Sequence, residues 1–298
     1  MRARAKRRQT VRTIEIIAII AIIGVSLTVG LYLAYNSGDP RAAVDGKPVS
    51  TEDLTNLRQA ALAAYGNPGQ QYLSKVQNLT GPAFSQVKPI LVYVGAEFCP
   101  FCAVQRYSMI MALMRFGNFT GLEYMTSGLG DGDISTFTFV NSTYHSNFIR
   151  FEPFEIQDRN HNSLQTLPTN YTSAFQQQGG GEFPFLNFNN KFYIHGSILD
   201  YGILSGMNQT QVISSILAVN QVGSELKQAA NVITAIICET THNTPALVCD
   251  NASITSITQD AYSLPSTNSV SELTLAVAPS FSSFEFGLDR SPTEVGTE

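Results

Sequence analysis

Apolar residues in this chain follow two spacings, one typical of strands and one typical of helices. Continuous apolar runs at 90–95 and 185–188 have the length of buried strands, and between them apolar residues recur every three or four positions over 100–116. This recurrence predicts a helix that ends near Gly117. The pattern also predicts strands at 122–125, 136–140, 148–156 and, after a turn at Asn189-Asn190, 192–195. The sequence therefore predicts an α/β fold in which helices flank a sheet.

Helix signals on either side of this central region divide the chain into segments. Ser50 is a predicted N-cap, with Asp53 at the capping-box position, and Asn208 is the predicted cap of a later helix. We predict a basic tail (1–12), a membrane anchor (13–35), a linker with N-terminal helices (36–84), a main domain (85–222), a helical extension (223–250) and a Ser/Thr-rich tail (251–298). Because the tail has no steady apolar period, we expect it to be mostly disordered or variable.

The N-terminus has the composition of a membrane anchor. Residues 16–34 form an uncharged, mostly apolar run of 19 residues, which matches the length of a bilayer-spanning helix. Six basic residues precede this run, so the positive-inside rule predicts a single span at the cell membrane, a cytoplasmic N-terminus and an extracytoplasmic main domain. A cleavable signal peptide is the alternative. Topology explains the basic residues beside the span, and nothing in the sequence indicates a nucleic-acid partner.

The composition of the remaining chain agrees with an extracytoplasmic location. Charged residues make up 14% of the chain, below the usual quarter, and the formal net charge is −5. Ser, Thr, Asn and Gln supply the polarity instead. Asn-x-Ser/Thr sequons follow the predicted span and none precedes it. They predict candidate glycosylation sites at Asn78, Asn118, Asn141, Asn170, Asn208 and Asn251.

The Cys-Pro-Phe-Cys motif at 99–102 joins the predicted strand at 90–95 to the predicted helix. A helix N-terminus directs free N–H groups and a positive dipole end at the first sulfur, which favours the reactive thiolate of Cys99. The spacing therefore predicts a redox-active dithiol of Cys99 and Cys102. An inert disulfide and a zinc site are the alternatives. A zinc site needs about four ligands, and the remaining cysteines and histidines lack the spacing to complete one, so we expect no metal and no cofactor.

Cys238 and Cys249 form the second pair of cysteines. Cys238 ends an apolar helical stretch, and Cys249 follows a turn-like segment after ten intervening residues. Two spaced pairs fit an oxidising compartment. We expect a structural disulfide between these two residues, with a second redox relay pair as the alternative.

The order strand, CxxC, helix, strand, then proline, strand, hairpin and helix resembles the thioredoxin fold. The resemblance implies that Pro184 is a cis-proline opposite the dithiol and that Phe183 holds the backbone of a substrate chain, with Pro100 and Phe101 completing the substrate-binding residues. An ordinary trans proline is the alternative. The chain departs from the thioredoxin pattern at Tyr93, where thioredoxins carry a buried acid. Glu97, nearer in sequence, is expected to be solvated, and the residue before Cys99 is Phe98 rather than tryptophan.

The chain is also similar to an archaeal, membrane-anchored family named domain of unknown function 929. The motif from Val94 to Cys102, the Phe183-Pro184 segment and the helix that ends at Cys238 carry this resemblance, which covers about residues 50–250. It implies a thioredoxin-like mixed sheet flanked by helices in the extracytoplasmic part, at 85–222. It implies no particular activity.

These observations favour a membrane-anchored thiol–disulfide oxidoreductase that acts on cysteine-containing surface or secreted proteins. Cys99 forms the mixed disulfide with the client, and Cys102, lower on the helix and less exposed, resolves it. We expect oxidation or isomerisation of client disulfides, because a reductase needs an electron donor across the membrane. The alternative is a non-catalytic, glycosylated surface protein whose CxxC is a structural disulfide. A lipid- or cofactor-binding receptor is a third hypothesis, for which the sequence offers no residues.

Overall fold

The structure is a computed structural model that describes residues 23–28, 40–63, 66, 68–128, 130–261 and 263–268. Most of the predicted anchor at 13–35 lies outside these residues, and the part that is described, 23–28, is helical. No helix among the described residues has both the length and the apolar character needed to cross a bilayer.

The described residues form a mixed α/β fold around one principal sheet. Its six strands are β1 (Val76–Thr80), β2 (Ile90–Gly95), β7 (Arg150–Glu155), β8 (Phe185–Phe188), β9 (Phe192–His195) and β10 (Ser266–Asn268). They lie in the order β10-β1-β9-β8-β2-β7, with β2 parallel to β7, β1 parallel to β10, and the remaining neighbours antiparallel. The predicted strand at 90–95, the strand within 148–156 and the hairpin at 185–195 are confirmed.

Strand β2 lies inside the sheet and is covered on both faces, which explains its unbroken apolar run. Leu91 and Tyr93 face the larger core, while Val92 and Val94 face a smaller core on the other side of the sheet. Alternate side chains of a strand point to opposite faces. Because both faces of β2 are covered by a core, every position of the strand requires an apolar residue. The CxxC motif follows the carboxyl end of this strand.

Helices cover both faces of the sheet. They are α1 (Thr51–Leu62), α2 (Pro100–Met114), α3 (Thr169–Gly179), α4 (Gln209–Ala218), α5 (Gln221–Thr240), α6 (Ala246–Cys249) and α7 (Ala252–Ala261), with 3₁₀ turns at Pro40–Val44, Gln70–Lys75 and Tyr201–Leu204. The predicted caps are confirmed, because the Ser50 side chain accepts from the N–H of Asp53 and Asn208 forms a capping box with Gln211. Helix α3 packs on the smaller core.

Helix α2 is the central helix of the larger core. Every residue from Cys102 to Met114 is buried, because α2 packs against α5, α1 and the sheet side of the molecule at once. It ends two residues earlier than the predicted limit at Phe116, with Arg115 as the cap. A helix enclosed in this way holds its first turn, and therefore the CxxC motif, in a fixed position.

Two short hairpin-like pairs lie between α2 and β7. They are β3 (Gly117–Thr120) with β6 (Thr143–Ser146), and β4 (Glu123–Thr126) with β5 (Ser135–Thr138). The strands predicted at 122–125 and 136–140 therefore exist but pair with each other outside the principal sheet. They are fixed to α2 by hydrogen bonds from Tyr107 to the carbonyl of Ser135 and from Thr136 to the carbonyl of Ala103.

Two terminal segments differ from the sequence prediction. The segment predicted as a linker with N-terminal helices (36–84) also contains β1. This strand pairs with β9 and β10, and its residues Val76 and Leu79 are buried. The tail at 251–298, expected to be mostly disordered or variable, contains α7 and β10 between 252 and 268, and residues 269–298 lie outside the described residues. Ile254, Ile257 and Ala261 lie on one face of α7 and are fully buried, which is why this part of the tail is ordered.

Candidate active site

The CxxC motif occupies the junction at which β2 ends and α2 begins. Cys99 is the N-cap of α2, with extended backbone angles, and its sulfur accepts a hydrogen bond from the N–H of Cys102 at 3.2 Å. Pro100 takes the first helical position, where its missing N–H leaves no donor unsatisfied. The geometry at the first sulfur is therefore that of a side-chain N-cap, with sulfur in the place usually taken by oxygen.

The two thiols are free and differ in burial. Cys99 is 6% exposed and Cys102 is fully buried, in the order predicted from the sequence. The surface that Cys99 offers is small, so a partner must approach it closely between the flanking side chains.

The pKa values of the two thiols shift in opposite directions. The hydrogen bond from the Cys102 thiol lowers the pKa of Cys99; burial opposes this, while the N–H of Cys102 and the charge of Arg106 lower it further. Burial raises the pKa of Cys102, and its hydrogen bond to Cys99 adds to the rise. One sulfur is therefore prepared as the thiolate and the other as the thiol that stabilises it.

A buried ion pair lies below the dithiol. Arg106 follows Cys102 by one helical turn, and its Nε and Nη2 donate to the two carboxylate oxygens of Glu155 at 2.9 and 2.8 Å. Nη2 also donates to the carbonyl of Ala96 at 2.9 Å. Both side chains are fully buried, and Glu155 ends β7 opposite Gly95 of β2. This forked pairing fixes the guanidinium beneath the motif.

Tyr93 occupies the position at which thioredoxins carry a buried acid. Its ring is fully buried and extends along β2, so that its hydroxyl would lie 2.0 Å from a Cβ at position 95. Only glycine at 95 leaves room for this hydroxyl. Burial raises the pKa of Tyr93, which keeps it a neutral donor. A buried carboxylate, that of Glu155, lies at the end of the neighbouring strand β7.

Glu97 differs from the prediction of a solvated side chain. It is half-buried, and its carboxylate accepts a hydrogen bond from Thr138 at 2.7 Å. Burial raises its pKa. The reason is that Thr138, the last residue of β5, lies beside Glu97. The sequence predicted this strand but not its position next to the motif.

Phe183 lies beside the dithiol, and Pro184 follows it in the chain. The Phe183–Pro184 peptide bond is cis, so the conformation predicted for this bond is confirmed. Phe183 packs against the small apolar cluster of Ala96, Cys99 and Cys102. Its ring is perpendicular to that of Phe98 at 6.2 Å and stacked on that of Phe175 at 5.9 Å. The role of Phe183 and Pro184 in holding a substrate stays a prediction.

The rim around Cys99 includes residues that the sequence analysis did not select. His161 stacks on Phe98 with ring centroids 3.8 Å apart, and its Nε2 lies 3.0 Å from Asp131. The exposed ring of Phe101, two residues after Cys99, meets Tyr201 edge-on at 4.9 Å. The rings of Phe98 and Phe183 pack against the cluster that contains both sulfurs. His161 and Tyr201 carry no local signal, because their places depend on loops far from the motif in sequence.

Arg106 and Glu155 were also missed, although one of them carries a signal. Arg106 is the one charged residue of α2 and lies four positions after the second cysteine. A charge at a core position of a helix requires a buried partner. The identity of that partner, 49 residues away, is not readable from spacing.

The other predicted site residues lie apart from the dithiol. Cys238 and Cys249 form a disulfide, with Cα atoms 5.6 Å apart, between the end of α5 and α6. Among the sequons, Asn118, Asn141, Asn170 and Asn208 are exposed, whereas Asn78 and Asn251 are half-buried. Their glycosylation stays a prediction. Among the described residues, no group of three or more His, Cys, Asp or Glu side chains is placed to hold a metal ion.

Fold and site together define an α/β protein with an asymmetric dithiol at a strand-to-helix junction. The sequence model of the family described as Domain of unknown function (DUF929) matches residues 72–239, more than half of the chain. The chain belongs to this family. No curated protein and no solved structure matches the sequence.

Proposed function

We propose that this protein is a membrane-anchored, extracytoplasmic thiol–disulfide oxidoreductase with a thioredoxin-like fold, acting on the disulfides of client proteins. The observation that carries the proposal is the asymmetry of the dithiol. Cys99 is partly reachable and its pKa is lowered by the Cys102 thiol, whereas Cys102 is buried and its pKa is raised by burial. This is the division of labour that disulfide exchange needs.

The connectivity around the motif supports the thioredoxin-like part of the proposal. Strand β2 leads through CxxC into α2, β7 pairs parallel to β2, and the β8–β9 hairpin pairs antiparallel on its other side. Pro184 directly precedes β8, and Phe183 contacts the cluster that contains both cysteines. The proposed substrate site is therefore the surface between Phe183, Phe98 and Phe101.

In the oxidising direction, the reaction starts from a disulfide between Cys99 and Cys102. A client thiolate attacks the sulfur of Cys99, the Cys99–Cys102 bond breaks, and Cys102 leaves as a thiolate that takes up a proton. A second client thiolate then attacks the mixed disulfide, and Cys99 leaves as a thiolate. The client loses two electrons and gains a disulfide, and the protein dithiol gains the same two electrons. Isomerisation uses the same mixed disulfide.

The proposed location rests on sequence features. The basic residues before the apolar run at 16–34 and the sequons after it favour a single span with the domain outside. Protease treatment of intact cells tests this location: the domain should be digested, with cytoplasmic proteins intact. Digestion only after lysis would contradict it.

Trapping of clients tests the proposed activity. A Cys102→Ser variant keeps the attacking thiol and lacks the resolving one, so we expect it to accumulate mixed disulfides with client proteins on non-reducing gels. The matched control is the Cys99→Ser/Cys102→Ser variant, which has neither thiol and keeps the disulfide of Cys238 and Cys249. Identical gels for the two variants would contradict the proposal.

The second candidate function is a non-catalytic surface protein with a closed CxxC disulfide. The 6% exposure of Cys99 favours it, because so small a surface restricts exchange. The reduction potential distinguishes the two candidates: a value below about −300 mV is typical of resistant structural disulfides, and a higher value favours the oxidoreductase.

A further inference from the structure

Two buried hydrogen-bond donors lie beneath the dithiol without an acceptor. They are the hydroxyl of Tyr93 and the Nη1 group of Arg106, and neither has a hydrogen-bond partner among the described residues. Both side chains are fully buried. Because an unpaired buried donor loses its hydration without compensation, such groups are rare and need an explanation.

The surrounding contacts fix both donors in place. The other arms of the Arg106 guanidinium are held by Glu155 and the carbonyl of Ala96, so Nη1 is the remaining arm. The Tyr93 ring is held edge-on by Phe139 at 5.4 Å, and its hydroxyl occupies the space left by the missing side chain of Gly95. Neither donor can turn away towards solvent.

The charge state of Cys102 is coupled to both of these side chains. Arg106 is one turn below Cys102 on the buried side of α2. Its positive charge lowers the pKa of Cys102 against the larger effect of burial. After burial and Arg106, the charge of Cys102 is the next influence on the pKa of Tyr93. In the resting state, the Cys102 thiol is itself a donor to Cys99 and leaves the two groups without an acceptor.

The acceptor arises during exchange. When the Cys99–Cys102 bond breaks, Cys102 leaves as a thiolate, which accepts hydrogen bonds and donates none. In the reverse reaction the Cys102 thiol loses its proton, its thiolate attacks the sulfur of Cys99, and the client sulfur leaves with the electron pair and takes up a proton. The same negative charge develops on Cys102 in both directions, in a site that water does not reach.

We propose that the Tyr93 hydroxyl and Arg106 Nη1 form a preorganised donor pair for the transient thiolate of Cys102. This inference rests on the proposed function and adds the groups that accelerate its resolving step. It assigns to hydrogen-bond donors the task of stabilising the resolving sulfur. Preorganised donors are effective in such a place because they need no rearrangement when the charge appears.

The Tyr93→Phe variant tests the proposal in the purified full-length chain. The oxidised protein is mixed with dithiothreitol, whose thiolate attacks Cys99 and expels Cys102. The reaction is stopped with acid, and free Cys99 and Cys102 are counted by mass spectrometry. We expect the second-order rate constant to fall about tenfold, since a hydrogen bond to a charged group is lost in the transition state. Alkylation of Cys99 in the reduced protein should stay within about twofold of the parent rate.

Tyr107→Phe is the matched control. Tyr107 is an equally buried tyrosine on α2, but its hydroxyl donates to the carbonyl of Ser135. A Tyr93→Phe rate equal to the parent rate, or slowed no more than that of Tyr107→Phe, overturns the proposal. If the parent protein fails to react with dithiothreitol and Cys102→Ser traps no client, the proposed function fails as well. Trapping by Cys102→Ser together with an unchanged Tyr93→Phe rate rejects the donor pair alone.

Discussion

The two cysteine pairs are buried to a similar depth but differ in the groups around them. Cys238 and Cys249, 0% and 3% exposed, lie within the apolar core between α5 and α7. Cys99 and Cys102, 6% and 0% exposed, lie at a helix N-terminus above the ion pair of Arg106 and Glu155. Burial therefore does not distinguish the disulfide-bonded pair from the free, candidate reactive pair. The difference is the charge and the donors that face the sulfur.

The largest expected effect comes from removing the charge beneath the reactive pair. Arg106→Met leaves Glu155 buried without its partner, so we expect the free energy of unfolding to fall by about 3–5 kcal/mol in chemical denaturation. Arg106→Met/Glu155→Gln removes both charges and should recover most of that stability. In the double variant the pKa of Cys99 should still be higher than in the parent, because the lowering influence of Arg106 is gone. A double variant as unstable as the single one would contradict this account of the pair.

The second prediction removes the disulfide-bonded pair. Cys238→Ser/Cys249→Ser opens a loop of about eleven residues, and the free energy of unfolding should fall by about 2–3 kcal/mol. The rate of alkylation of Cys99 should be unchanged, because the two pairs share no partner in the described contacts. A changed rate would show that the two cysteine pairs are coupled, as the alternative of a second redox relay requires.

The third prediction concerns the pH dependence of the reactive pair. Alkylation follows the thiolate, so the rate at Cys99 should rise with pH through a midpoint below that of a free thiol, about 8.5. Cys102→Ala removes the thiol hydrogen bond that is the largest cause of the lowered pKa, so this midpoint should move to higher pH. Alkylation rates measured from pH 5 to 10 test both statements. A midpoint that stays in place after Cys102→Ala would show that the thiol hydrogen bond has no part in it.

The sequence predicted the part of the fold that depends on local pattern. The apolar run of β2, the Pro100 helix start and the turn at Asn189-Asn190 all have signals within a few residues. Strand β1 was not predicted, because Val76 and Leu79 are three apart, as in a helix, and only distant partners make them a strand. Helix α7 was missed because its Ser- and Thr-rich sequence hides the helical spacing of its three buried apolar residues.

The same distinction applies to the site. Cys99, Cys102, Phe183 and Pro184 were selected from short motifs, and the structure packs Phe183, which precedes Pro184, against both cysteines. Glu155 was not found, because its buried partner is Arg106 of α2, which is 49 residues away in the chain. Electrostatic partners of this kind are brought together by tertiary packing, which no single segment of the sequence predicts.

Strand β10 has a practical consequence for anyone who trims this chain. The family match stops at residue 239, which makes that position an attractive place to cut. Truncation at 239 removes β10, the parallel neighbour of β1. The backbone N–H and C=O groups along that edge of β1 are then unpaired and can bind other molecules. It also leaves Cys238 as an orphan thiol. Truncated variants that keep residues up to 268 should stay monodisperse, whereas variants that end near 239 should aggregate.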